Sequence, residues 1–226
     1  MPDILNKENR TSFLLNFLAV VLGIVITFGG ESLLSHKEEK RNLNSCLELV
    51  SSELQANLKC LDYGDSLMRN ELVSAIFLVR YEEDYTKAPS DSLSKLANTP
   101  FTINEMSIYD DAFELLKNTG VLTKIKDKEL ALQVFRTYDD LQTTMLYYQL
   151  FYEHKKQYLA AAMNENVKKV LARDTVTAID LWSEITATDE GKQFLREILR
   201  FLASYNVSSA YENVHNTIEG IADYVN

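Results

Sequence analysis

The chain has 226 residues and a formal net charge of −10, from 33 Asp and Glu against 23 Lys and Arg. That excess of acid argues against a nucleic-acid partner, which requires clustered Lys and Arg, and against adsorption to anionic lipid. Seven Gly and three Pro, with no Pro after Pro100, leave few helix breakers and point to an all-α protein.

Residues 1–10 form a short polar tail in which Lys7 and Arg10 balance Asp3 and Glu8. Residues 11–30 follow without a single charge. As a helix this run is roughly 30 Å long, the thickness of a bilayer's hydrocarbon core. It is longer than the apolar core of a cleaved signal peptide, about 7–15 residues. The expected organisation is therefore a tail at 1–10, a transmembrane helix at 11–35 and a soluble helical-bundle domain at 36–226. The flanks of the span carry nearly equal positive charge, Lys7 and Arg10 before it and Lys37, Lys40 and Arg41 after it. An N-terminal apolar segment followed by a long domain usually acts as an uncleaved export signal, so the C-terminal domain is expected to be extracytoplasmic.

One face of the span gathers small and polar groups. Ser12, Asn16, Ala19, Gly23, Thr27 and Glu31 recur every three or four residues. Close backbone approach and polar contacts drive helix association in lipid, so Asn16, Ala19, Gly23, Thr27 and Glu31 are the candidate membrane interface, with a second copy or with another membrane protein. Glu31 lies at the end of the run, within reach of water, which argues against an ion-conducting role.

A helix is expected over 31–63. Leu43, Cys46, Leu47, Val50, Leu54, Leu58 and Leu61 form its apolar seam, and Glu38, Glu39, Lys40, Arg41, Glu48, Glu53 and Lys59 its solvated face. Cys46 and Cys60 lie about 21 Å apart along that helix and cannot bridge each other. Gly64 reads as a break before a second helix carrying Leu67, Met68, Leu72, Ile76, Phe77 and Val79. Residues 82–104 are the least regular stretch, with Pro89, Pro100 and the acidic triplet 82–84. A polar loop of this kind on a helical scaffold is where a binding surface most easily sits.

A third helix is expected over 103–118, stopped by Gly120, with Val121, Leu122 and Ile125 crossing to a helix that Asp127 caps. That helix is expected over 128–169, with a stripe of Ala131, Phe135, Tyr138, Leu141, Met145, Tyr148, Tyr152, Leu159 and Ala162. Its tyrosines read as core residues whose hydroxyls reach the surface. A short segment near 176–185 holds Trp182, and Thr188 starts the last helix, which carries Phe194, Ile198, Phe201, Tyr205, Ile218, Ile221 and Val225 and bends near 206–209.

The histidines are His36, His154 and His215. Glu212 and His215 have the Glu-x-x-His spacing of helical di-iron bundles, but the second such pair is missing. The chain has no phosphate-binding Gly loop, no His-Glu-x-x-His and no Cys-x-x-Cys. No catalytic, cofactor-binding or metal residue is assigned, and no enzyme activity is expected.

Two stretches carry a resemblance. One is the apolar segment running into a charged helix that contains Ser52-Glu53-Leu54-Gln55-Ala56-Asn57-Leu58. The other runs from Tyr109 to Leu130, through Leu115-Leu116-Lys117-Asn118-Thr119-Gly120 and Lys128-Glu129-Leu130. Together they resemble an uncharacterised family of small bacterial single-pass membrane proteins with a C-terminal helical domain of unknown function. This chain departs from the family pattern in its tail, which is less basic. The resemblance implies an architecture and a bacterial inner-membrane location, and no chemistry. The expected fold is all-α, one N-terminal transmembrane helix followed by an antiparallel bundle of long helices. The expected function is a membrane-anchored interaction or scaffold protein. The alternative is an extracytoplasmic ligand-sensing domain acting through a partner membrane protein.

Overall fold

The structure, a computed structural model, describes residues 19, 20 and 36–226. Asn16, Gly23, Thr27 and Glu31, with the rest of the apolar run, lie outside the described residues. Ala19 and Val20 are helical and exposed. Among the described residues no helix is long and apolar enough to cross a membrane.

The described chain is helical, with no strand among the described residues. Helix α1, His36–Arg80, has 45 residues and a length of about 67 Å. It does not break at Gly64, which is buried within it. A connector then leads through a 3-10 turn at Tyr85–Lys87, α2 at Ser90–Leu96, a 3-10 turn at Thr99–Phe101 and an irregular stretch at 102–110. It ends in α3, Asp111–Asn118, and a 3-10 turn at Val121–Lys124. The expected helix over 103–118 is therefore present only in its second half. Gly120 stops it as expected, at φ 67°, the left-handed geometry that a side chain resists.

Asp127 caps α4, Lys128–Ala162, by accepting from Glu129 N and Leu130 N. The expected continuation to 169 is interrupted because Asn164 caps a new helix, accepting from Asn166 N and Val167 N. This is α5, Glu165–Leu171. Helix α6, Ala178–Thr186, opens on a capping box between Thr177 and Asp180 and carries Trp182. Thr188 caps α7, Asp189–Leu202, through Gly191 N. The expected bend in the last helix is a break, and α8 runs Ser208–Val225.

Three rods make the frame. Helices α7 and α8 follow one another along α1 and α4 in the opposite direction. Asn44, Asp62 and Glu82 meet Val225, Tyr211 and Arg196 in turn, while Thr137 and His154 of α4 meet Thr217 and Glu197. The antiparallel expectation holds for these pairs. Helices α1 and α4 run parallel, with Glu53 beside Tyr138 and Glu71 beside Lys155. A parallel pair needs its connection to travel back the full length of the first helix, so the 47 residues at 81–127 form the fourth side of the bundle. The core lies between, with Leu47, Val50, Leu54, Leu61, Val134, Tyr138, Leu141, Tyr148 and Phe194 fully enclosed.

Candidate functional site: a polar ladder beneath the connector

Helix α1 presents two series of positions to the interior, each repeating every seven residues. One is apolar throughout: Leu47, Leu54, Leu61, Met68 and Ala75 are all buried. The other begins and ends apolar, at Leu43, Val50 and Leu78, but its middle is Asn57, Gly64 and Glu71, also buried. A buried polar side chain must find partners or it destabilises the fold. Here the partners are the backbone of the connector and side chains of α4.

Asn57 takes both backbone groups of one residue. Its Oδ1 accepts from Tyr109 N at 2.8 Å, and its Nδ2 donates to Tyr109 O at 2.7 Å. This is the pairing that a neighbouring strand would offer. One turn earlier, Glu53 accepts from Ala112 N at 2.8 Å and Phe113 N at 3.3 Å, and Tyr138 donates its hydroxyl to it at 2.5 Å. Asp110 makes no side-chain capping bond, so α1 caps α3 across the interface and sets a carboxylate at the positive end of that helix. Burial pushes the Glu53 carboxyl up, against the Tyr138 hydroxyl and the two amides that pull it down. Glu53 is 1% exposed, which corrects its placement on the solvated face. Tyr138 also stacks on Phe113 at 4.2 Å.

Gly64 is a point of close approach. A Cβ built there would lie 2.5 Å from Met106 Cε and 2.6 Å from the Tyr148 ring and hydroxyl. The missing side chain makes room for both.

Glu71 and Lys155 form a pair enclosed from solvent, with side chains 1% and 0% exposed. Lys155 Nζ donates to Glu71 at 2.5 Å, Thr102 O at 2.7 Å and Thr99 O at 3.2 Å. These use all three of its protons and close the 3-10 turn of the connector. Burial is the larger influence on both groups. It pushes the Glu71 carboxyl up to about 7 against the ammonium, and pushes Lys155 down against the carboxylate. Glu71 Oε2 is buried without a hydrogen-bond partner among the described residues.

Further contacts hold the connector. Asn104 donates to Tyr152 Oη at 3.0 Å, Ser74 to Leu96 O at 2.6 Å and Trp182 to Ala97 O at 3.0 Å. Tyr138, Tyr148 and Tyr152 of α4 are buried, as expected, while Tyr147 and Tyr158 are half-buried; the hydroxyls of Tyr147 and Tyr148 bond inside the protein. Tyr147 donates to Phe201 O, and Tyr148 pairs with Tyr205 at 2.9 Å. Burial pushes the Tyr148 hydroxyl up to about 12.

The other candidates do not converge. Glu212 and His215 lie on the exposed side of α8, and His154 reaches Glu197, which Arg200 also holds. The acidic triplet is engaged by cations, Glu82 by Arg196, Glu83 by Lys192 and Asp84 by Lys87. It lines a shallow cavity of about 230 Å³ with Ser183 and Thr186. Among the described residues no group of His, Cys, Asp and Glu is arranged to hold a metal ion. No disulfide joins Cys46 and Cys60.

Glu53, Asn57, Glu71 and Lys155 were not foreseen as interior residues, although the seven-residue phase carries the signal. Lys155 follows Leu141 and Tyr148 at that spacing, as Glu71 follows Asn57 and Gly64. Glu53, Asn57 and Lys155 bind the backbone of the connector, and Glu71 holds Lys155 in place. Residues 53–57 of α1 and 109–113 at the start of α3 meet here, at Glu53 with Ala112 and Asn57 with Tyr109. Comparison of the chain with protein-family models, with curated proteins and with solved structures finds no match in any of the three.

Proposed function

We propose that this protein is a single-pass membrane-anchored interaction module of a bacterial inner membrane, with its helical bundle extracytoplasmic. The observation that carries the reading is the uncharged run at 11–30, which stands immediately before a helix of 45 residues. A rod of that length, bound along its sides by α7 and α8, suits holding a surface away from the bilayer. The whole net charge of −10 lies beyond residue 30, which disfavours lying on anionic lipid and supports a protein partner. Within the membrane, Asn16, Ala19, Gly23, Thr27 and Glu31 form the face assigned to association with a second copy or with another membrane protein.

Alkaline extraction and crosslinking test this reading on the full chain. The protein is expected to stay with the membrane pellet, and replacing Leu22 and Ile24 by Asp is expected to release it. Gly23→Leu is expected to keep it in the membrane while lowering its crosslinked adducts at least fivefold. Release of the unaltered chain into the supernatant would refute the anchor, and unchanged adducts would refute the interface.

A further inference from the structure

Helix α4 is covered on three sides and bare on the fourth. Its inner side meets α1 at Glu53 and Glu71, one flank meets Phe201 and Thr217, and the other meets Phe113 of α3. The outward side carries Leu132, Phe135, Leu146 and Leu150, which are 52%, 41%, 53% and 53% exposed. Successive residues of a helix turn by about 100°, so these four side chains fall within about 60° of one another. They form one ridge about 27 Å long.

The charges on this ridge point to what covers it. Between Leu130 and Leu159 the other charged side chains of α4 are held within the chain. Lys155 pairs with Glu71, Lys156 with Glu153, His154 with Glu197, and Asp140 accepts from Asn213. Arg136 and Asp139 are exposed, lie on the ridge itself, and make no side-chain bond among the described residues. One cation and one anion three residues apart make a self-complementary pattern. They also leave the ridge without net charge in a chain of −10, so two copies meet there without net repulsion.

Orientation follows from the anchor. Two copies held in one bilayer by residues 11–30 point α1 the same way, and α4 runs parallel to α1. Their α4 helices then lie parallel across a twofold axis, and each residue faces its counterpart. Leu132, Leu146 and Leu150 meet themselves. Arg136 of each copy sits about 4.5 Å lower along the axis than Asp139 of the other, within reach of its long side chain. A single helix ridge is smaller than the roughly 800 Å² per partner of a standard interface. It suffices for a partner that the shared membrane already holds at the same height and at high effective concentration.

We propose that the outward face of α4, from Leu132 to Leu150, is a parallel twofold interface with a second copy of this chain, closed by two reciprocal Arg136–Asp139 ion pairs. The proposal deepens the interaction role above and rests on it for the parallel orientation.

Disulfide trapping of the full chain in native membrane vesicles tests it. Leu146→Cys in a Cys60→Ser background is oxidised with copper phenanthroline and read on a non-reducing gel. More than half of the protein is expected as a disulfide-linked dimer. Val73→Cys in the same background is the control, because Val73 is equally exposed on the side of α1 that faces away from α4. It is expected to give at least tenfold less dimer. Adding Arg136→Asp to Leu146→Cys is expected to lower the dimer at least fivefold, and adding Asp139→Arg to that variant is expected to restore it. These positions are exposed, so the fold is retained. A Leu146→Cys dimer no more abundant than the control overturns the proposal, as does a loss that the second exchange fails to restore. An adduct with a different protein in place of the dimer overturns the choice of a second copy. Pellet against supernatant decides the anchor, and the Leu146→Cys disulfide decides the α4 interface in whichever fraction holds the protein, so the two readings fall separately.

Discussion

Glu71 and Lys155 show how far residue type misleads about burial. Both are residues normally found in water, and both are enclosed. What places them inside is phase: each follows two interior positions of its own helix at a seven-residue spacing. Taking Gly64 for a break resets that phase and brings Ile76 to the expected core face. In the protein Ile76 is 45% exposed, and Glu71 is the buried position. On α4 the expected stripe includes Phe135, which is exposed, and omits Val134, which is buried. The pair also gives the protein a pH signature. Burial holds the Glu71 carboxyl near 7 in the folded state, against an ordinary value of 4.5. Between those values the folded state keeps a proton that the unfolded state has released, so stability from this group falls as pH rises. In urea unfolding at pH 4, 5, 6 and 7.5, the stability of the unaltered chain relative to Glu71→Gln is expected to decline across that window and to level off above it. A difference that stays constant from pH 4 to 7.5 would mean that Glu71 titrates as an ordinary carboxylate.

At the scale of elements, local signals were legible and contextual ones were not. Asp127 and Thr188 cap helices as expected, because a cap is a bond between a side chain and amides two or three residues away. Gly120 ends α3 for an equally local reason, its positive φ. Gly64 has the same residue type and the opposite meaning. It continues its helix, and its role is set by Tyr148 and Met106, which are remote in sequence. Asn164 is the converse, a residue read as helix interior that starts a new helix because its side chain captures two amides. Gly64→Ala separates the two meanings by sign. If Gly64 were a break, Ala would stabilise the helix by about 1 kcal/mol through propensity. Because a Cβ there meets the Tyr148 ring, the variant is expected to lose about 1–3 kcal/mol, the usual cost of overpacking a core. The shift of the urea midpoint at constant slope measures it.

For the molecule as a whole, helical content was legible and topology was not. Composition and periodicity speak of neighbours a few residues apart. The parallel placement of α1 and α4 depends on bonds such as Glu53 with Tyr138 and Glu71 with Lys155, across 85 and 84 residues. Closure comes later still, because the first half of α1 is covered by α8 at the end of the described chain. Asn44 donates to Val225 O at 3.3 Å, and Tyr211 donates to Asp62 at 2.8 Å. Between them Ala210, Val214 and Ile221 are buried with Leu43, Leu47, Val50 and Leu54 of α1. Removing residues 204–226 would return those α1 side chains to water, at about 1.5–3 kcal/mol for each large one. Four such losses are comparable to the entire stability of a domain this size, about 5–15 kcal/mol. A chain ending at Ala203 is therefore expected to show no cooperative urea transition, and amides between 43 and 61 are expected to lose their exchange protection. The distal half is expected to fail with them, because α1 and α4 are shared by both halves and the connector is fastened to α1 at Glu53, Asn57 and Ser74 and to α4 at Lys155. A sharp transition surviving in the shortened chain would instead mean that α7 and the distal ends of α1 and α4 fold as a unit of their own.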